Sequence, residues 1–266
     1  MRNLSTLLTQ TRYQLLSYVR TPRALLSGVL TPVVLMVLLA AISDHRQEPG
    51  YAGRLTAAMI TLGLVTLGFT TLAGAVTASR DRGTLKRLAA TPLPLWLYLA
   101  GQVAATVVVI VLQSAGLVAL GVLVYDAELD TVRLAVAAGG ILLGAVSISL
   151  CGLAVAQLIP RSDAAAPLLS AVMLPVTLIS GIFFPVAALP DWIGWLGDAL
   201  PLSHLGALLS AGFVDGSWAP GITWHPADFG WLAGWAVLGF GYTRWRFRSE
   251  PATPKRAKRR TPAEVV

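Results

Sequence analysis

The sequence predicts an all-α membrane protein of six transmembrane helices, with an amphipathic N-terminal helix at the interface and short re-entrant helices between spans five and six. Three observations predict it. Of the 266 residues, 55% are hydrophobic and 12% charged, whereas a soluble domain is about 25% charged. Uncharged apolar stretches recur at lengths near the roughly 20 residues that a helix needs to cross a bilayer core about 30 Å thick. Seventeen of the 20 Lys and Arg fall in alternate connections, on one predicted side of the membrane.

The elements follow in order. Residues 1–23 carry a 3.6-residue pattern, with Leu4, Leu7, Leu8, Leu15 and Tyr18 on one side and Ser5, Thr9 and Arg12 on another. This predicts a helix lying on the cytoplasmic surface. The segment holds Arg2, Arg12 and Arg20 and lacks a continuous apolar centre, so it is expected to be retained rather than cleaved as a signal. Arg20-Thr21-Pro22 then turns the chain into the membrane, because the residue before proline disfavours helix. The expected spans are 24–43, 55–79, 95–125, 134–160, 164–190 and 229–243, followed by a basic tail, 244–266. Helices satisfy their own backbone in lipid, which makes them the expected conformation of such runs.

Orientation follows from the flanks. The N-terminal segment, the loop after span two, Arg161 after span four and the tail hold the seventeen cations, and the opposite side holds only Arg46, Arg54 and Arg133 with nine acids. Both termini are therefore expected in the cytoplasm. A further uncharged stretch, 199–214, contains Pro201 and His204. As a seventh crossing it would put the basic tail outside, so 185–228 is expected as an extracytoplasmic region of short, partly re-entrant helices. Trp192, Trp195, Trp218 and Trp224 would line its interface.

Spans two to five contain no Asp, Glu, Lys, Arg or His. Ionisable groups inside a membrane mark ion relays, so an ion-coupled pump is disfavoured and a path for apolar or amphipathic cargo is favoured. Mild polar residues remain, among them Thr66, Thr70, Gln102, Gln113, Thr177 and Ser180, each of which also serves ordinary helix–helix hydrogen bonding. Gly140-x-x-x-Gly144 and Gly230-x-x-x-Gly234 permit close packing. Cys151 is single and reads as a packing residue. The sequence holds no phosphate-binding G-x-x-x-x-G-K-[ST] loop, no nucleophile elbow and no His/Cys/acid cluster with metal spacing. The cations of 255–260 suit anionic lipid, not nucleic acid.

The loop after span two carries the densest signal. Arg80, Arg82, Lys86 and Arg87 lie within eight residues, and Leu85 and Leu88 are three apart. A short helix there has an apolar edge and a basic rim, which suits a groove on another protein; plain positive-inside topology explains the same cations.

The stretch SRDRGTLKRLAATPLP (79–94), the stretch SGIFFPVAALPDWIGWLGDALPLSHLGALL (180–209) and the helix ending at Arg20-Thr21-Pro22 resemble the ABC-2 type permease family, in particular its drug-export branch, which includes daunorubicin-exporter permeases. Asp81 and Lys86 stand where that family commonly has Glu. The resemblance implies a transport subunit with no ATPase activity or cofactor of its own. Two ATPase subunits would carry ATP and Mg, and a second permease, identical or paralogous, would complete the exporter in the plasma membrane of a bacterium. It further implies coupling to the ATPase through Arg80, Asp81, Arg82, Gly83, Thr84, Leu85 and Arg87. The implied cargo path has Thr66, Thr70, Thr177, Ser180 and Phe183, and the outer gate Trp192 and Trp195. An ATP-independent channel or carrier, or a membrane anchor, are the alternatives that the residues leave open.

The topology is directly testable. An epitope at the C-terminus should be invisible to antibody on intact cells and appear on permeabilisation; labelling from outside would reverse the predicted orientation.

Overall fold

A computed structural model describes residues 2–20, 22–43, 50–91, 94–125, 130–180, 191–213 and 225–249. Every regular element among them is helical: α1 (Arg2–Arg20), α2 (Pro22–Ile42), α3 (Tyr51–Leu64), α4 (Leu72–Asp81), α5 (Thr84–Ala89), α6 (Leu95–Tyr125), α7 (Thr131–Ala156), α8 (Ala165–Ile179), α9 (Asp191–Ala199), α10 (Pro201–Phe213) and α11 (Pro226–Ser249). A π-helical stretch, Val65–Thr71, joins α3 to α4 into one rod, and a short 3₁₀ turn, Ser162–Ala164, leads into α8.

Three helices are long and apolar enough to cross a membrane: Tyr51–Asp81, Leu95–Tyr125 and Thr131–Ala156. They correspond to the expected spans two, three and four. Gly28–Ile42 and Ser162–Thr177 are shorter apolar helices. Against the expected fifth span, 164–190, helix α8 ends at Ile179, and 181–190 lie outside the described residues. Against the expected sixth, α11 runs past both proposed ends and carries Arg244, Arg246 and Arg248 in its last turns, so it is longer and less apolar than expected. The stretch 199–214, weighed as a crossing, is mostly the 13-residue helix α10. Its Leu202, Leu205, Leu208 and Leu209 are buried against α3 and α7.

Helix α7 is the axis of the bundle, and small residues let its neighbours approach. A Cβ on Gly144 would lie 2.6 Å from Leu205, and one on Gly140 3.2 Å from Leu208, so the first Gly-x-x-x-Gly pair seats α10. The second pair, Gly230 and Gly234, has nothing within 4 Å of the added Cβ positions and does not perform that role inside the chain. Instead Gly239 brings α11 onto the backbone of Leu150 and Cys151. At Gly152 a Cβ would meet Gly68 O and Phe69 Cα, each at 2.8 Å, so the π stretch touches α7 backbone to backbone. Such contacts supply the van der Waals packing that holds helices together in lipid, where no hydrophobic gradient exists between them. Thr71 Oγ1 donates to Thr66 O at 2.8 Å, a five-residue reach characteristic of the wider π turn.

Helix α1 lies along α6. Its Tyr18 hydroxyl is 2.9 Å from Thr106 Oγ1, and the helix passes Gly101 at Gln10. Leu15 and Tyr18 pack on the core, whereas Leu4 and Leu8, expected on the same side, are exposed together with Leu16. The inward side is therefore partly polar. Gln113, on α6, donates to Gly28 O of α2 at 3.1 Å, and its amide fills the space that a side chain at position 63 would need.

One polar cluster lies where α9, α10 and the start of α11 meet. Each ring nitrogen of His204 meets an oxygen at 2.8 Å, Nδ1 the Asp228 carboxylate and Nε2 the Asp198 carbonyl. The backbone N–H of His225 donates to the other Asp228 oxygen at 2.7 Å, and the His204 ring stacks on Trp231 at 5.2 Å. Trp235 Nε1 donates to Ala199 O. Helices α9, α10 and α11 are thereby tied together.

Gly152→Ala should destabilise the protein by about 1–3 kcal/mol, because the obstructing atoms are backbone and cannot rotate away. Thermal unfolding in detergent should show a lower Tm. Gly74→Ala, with open space around the new methyl group, should show no loss.

Candidate functional site: the basic loop between α4 and α6

The loop grows directly out of α4. Arg80 and Asp81 are the last two residues of that helix, Arg82 closes it, and Gly83 follows at φ +70°. This left-handed conformation costs other L-residues about 1–2 kcal/mol, so glycine is the residue that lets α4 stop and α5 begin within two positions. The Gly83 N–H donates to Arg80 O at 3.0 Å and completes the turn.

Helix α5 bears the predicted apolar edge and basic rim, but the edge is used internally. Leu85 is buried in the hydrophobic core and Leu88 packs against it. Leu85 seats the helix on α4 and α6. The rim faces outward: Arg82, Lys86 and Arg87 are exposed, with Arg87 Nη2 donating to Arg82 O at 3.0 Å. Thr84 and Gly83 are half-buried beneath it.

Arg80 and Asp81 face inward, toward the connection between α7 and α8. Arg80 donates from Nη1 to Ala156 O at 3.4 Å and from Nη2 to Ile159 O. Ala156 ends α7, where carbonyls lack intrahelical partners and a cation is favourable. Asp81 Oδ2 accepts from the Ser162 N–H at 2.6 Å, at the start of the 3₁₀ turn into α8. The Arg80 Nε and Asp81 Oδ1 are 3.9 Å apart. One Arg-Asp dipeptide thus caps the end of one helix and the beginning of the next. Sequence reasoning assigned both residues to a partner. The one sequence signal that pointed inward was the isolated Arg161-Ser162-Asp163 on the same side of the membrane.

The expected cargo-path residues lie deeper. Helix α8 packs against the π stretch, which brings together the elements bearing Thr66 and Thr70 on one side and Thr177 and Ser180 on the other. Each hydroxyl with a recorded partner bonds its own helix: Thr66 to Leu62 O, Thr177 to Met173 O and Ser180 to Thr177 O, all at 2.7–2.8 Å. Phe183 lies outside the described residues. Trp192 and Trp195 are on α9, 63% and 77% exposed, and α9 sits against α8 and α10. Trp218 and Trp224 also lie outside the described residues. Among the described residues, no group of His, Cys, Asp and Glu has the arrangement of a metal site.

No curated protein matches the chain. A family model described as ABC-2 type transporter matches residues 6–214. That match covers α1 to α10, including the basic loop and its capping contacts. Such families supply the membrane component of ABC transporters and are generally paired with an ABC ATPase. Matched over most of its length, the chain belongs to the ABC-2 type transporter family.

Proposed function

We propose that this chain is the permease subunit of an ATP-driven exporter of the drug-export branch, moving an apolar or amphipathic cargo such as a drug, lipid, glycan or peptide out of a bacterial cell. The observation that carries the proposal is the basic rim of α5. Three exposed cations, Arg82 at the end of α4 and Lys86 and Arg87 on the short helix α5, are set in place by the turn at Gly83 and the buried Leu85. A surface of this kind suits an acidic or carbonyl-lined groove on a separate protein. The chain itself carries no ATP-binding loop, so the energy enters from outside, on two ATPase subunits that bind ATP and Mg.

In this reading six spans cross the plasma membrane with both termini in the cytoplasm, α2 and α8 supplying the first and fifth crossings and α11 the sixth. Two permeases, identical or paralogous, enclose the cargo between them. Closure of the ATPases on ATP pushes α5, and the rod α3–π–α4 carries the displacement inward. Thr66, Thr70, Thr177 and Ser180 would line the path with weakly polar surface, since the hydroxyls of Thr66, Thr177 and Ser180 are already bonded to their own helices. A wall of that kind discriminates little among amphipathic cargoes. Trp192 and Trp195, exposed on α9, would cover the outer exit.

Two outcomes test the proposal. Affinity purification of the chain in mild detergent should bring down an ABC ATPase, and recovery of the permease alone would count against it. Gly83→Pro should abolish ATP-driven transport while leaving membrane insertion intact, because proline is fixed near φ −65° and removes the donor to Arg80 O. Gly83→Ala should cost about 1 kcal/mol of loop stability and give a partial defect.

A further inference from the structure

Arg80 and Asp81 belong to the loop that faces the ATPase in the reading above, yet their side chains point away from the basic rim, into the 156–162 connection. We propose that the pair forms a relay between the two cytoplasmic loops, transmitting displacement of α5 to α8 without touching the partner. The inference rests on the reading given under Proposed function.

The geometry carries it. Helix α4 runs beside α7 along its last turns, with Thr77 Oγ1 2.8 Å from Ala73 O and 3.4 Å from Ala156 O. One turn on, Arg80 reaches the carbonyls of Ala156 and Ile159, and one residue beyond, Asp81 takes the Ser162 N–H at 2.6 Å. Thr77, Arg80 and Asp81 thus form a row of contacts from α4 to the chain end of α7 and on to the entry of α8. The two charged residues make charge-assisted bonds, which are shorter and stronger than neutral ones. The far side of the joint is a 3₁₀ turn only three residues long, Ser162–Ala164, entered from an extended Arg161 at φ −142°. Moving Asp81 therefore moves the first N–H of α8, whereas α7, closely packed along its length, stays in place. Asp81 and Arg80 are positioning residues: they act through α8.

Two donors and acceptors separate this role from partner binding. Asp81→Ala removes the acceptor. Ser162→Pro removes the donor at a position that tolerates proline, since an extended residue precedes it and it opens a helical turn. Asp81→Asn retains an oxygen that can accept the same N–H. The measurement uses the permease–ATPase complex in nanodiscs, in a Cys151→Ala background, with spin labels on exposed Leu123 at the outer end of α6 and on either Ala90, exposed at the end of α5, or Ala166. Distances are compared with and without ATP and vanadate.

In the otherwise unaltered protein both distances should shift on trapping. In Asp81→Ala and in Ser162→Pro the shift at 90 should persist and that at 166 should be lost; Asp81→Asn should restore it. Persistence of the 166 shift in both variants would overturn the relay, as would loss of both shifts in Asp81→Ala with Ser162→Pro unaffected, which would place Asp81 at the partner contact. Absence of any shift at 90 in the unaltered protein would instead remove the ATP-coupled reading on which the relay rests. Should Asp81→Ala fail to fold, Ser162→Pro alone decides.

Discussion

The backbone contact at Gly152 sets the position of the end of the bundle that carries the basic loop. A side chain there would collide with Gly68 and Phe69, so the rod containing α3 and α4 can lie against α7 only because this position is glycine. The π stretch presents Gly68 and Phe69 at that point, and its wider turn moves the protruding backbone toward α7. Once the two helices touch here, α4 emerges alongside the end of α7, with Thr77 against Ala156. The reach of Arg80 and Asp81 follows from that alignment. A change of one methyl group in the middle of the bundle is thus felt about two turns away, where the chain leaves the membrane.

Placing charge at those ends resolves a problem inherent in apolar helices. At the end of α7 and the start of the turn into α8, Gln157 and Leu158 take the carbonyls of Leu153, Ala154 and Val155, and Asp163 accepts from the Ala164 N–H, which leaves the Ala156 and Ile159 carbonyls and the Ser162 N–H to be met from α4. Neighbouring α4 supplies a cation for the carbonyls and an anion for the amide, in agreement with the sign of each helix terminus. The same cluster leaves Arg82, Lys86 and Arg87 facing outward. Four loop cations consequently divide into one that holds the chain together and three that remain available to a partner.

Much of this was legible in the sequence. Apolar length and the absence of charge located α6 at 95–125 to the residue, and the rod Tyr51–Asp81 around the expected 55–79. The short loop helix with Leu85 and Leu88 on one edge followed from their spacing. Other features left no local trace. No residue in VTLGFTT announces a π turn, because its stability comes from contact with α7. The inward reach of Arg80 depends on where residue 159 lies, some 80 positions away in sequence. Helix α11 was underestimated because its Arg-bearing end was read as tail, although a helix continues past the apolar boundary as readily as it stops there. The side of α1 that meets α6 is partly polar, since Gln10 faces Gly101 and Tyr18 finds Thr106, and hydrophobic periodicity does not identify such a contact.

The distribution of polar contacts also divides the molecule into stiff and yielding parts. Away from the basic loop, His204, Asp228, Asp198 and Trp231 join three helices through bonds of 2.7–2.8 Å and a stacked ring. Asp228 is buried, which strengthens its bonds to His204 and His225, since little water competes there. Around α7, glycine contacts bring backbones together along its length. Helix α8 differs: among the described residues its recorded hydroxyl bonds are all to its own backbone, and its polar tether to another helix is Asp81 at the Ser162 turn. An element anchored at one end by a charge and elsewhere by apolar packing can slide with little loss of hydrogen bonding. The same architecture that ties α7, α10 and α11 together therefore leaves α8 the less tethered helix, joined through Asp81 to the loop that carries the basic rim.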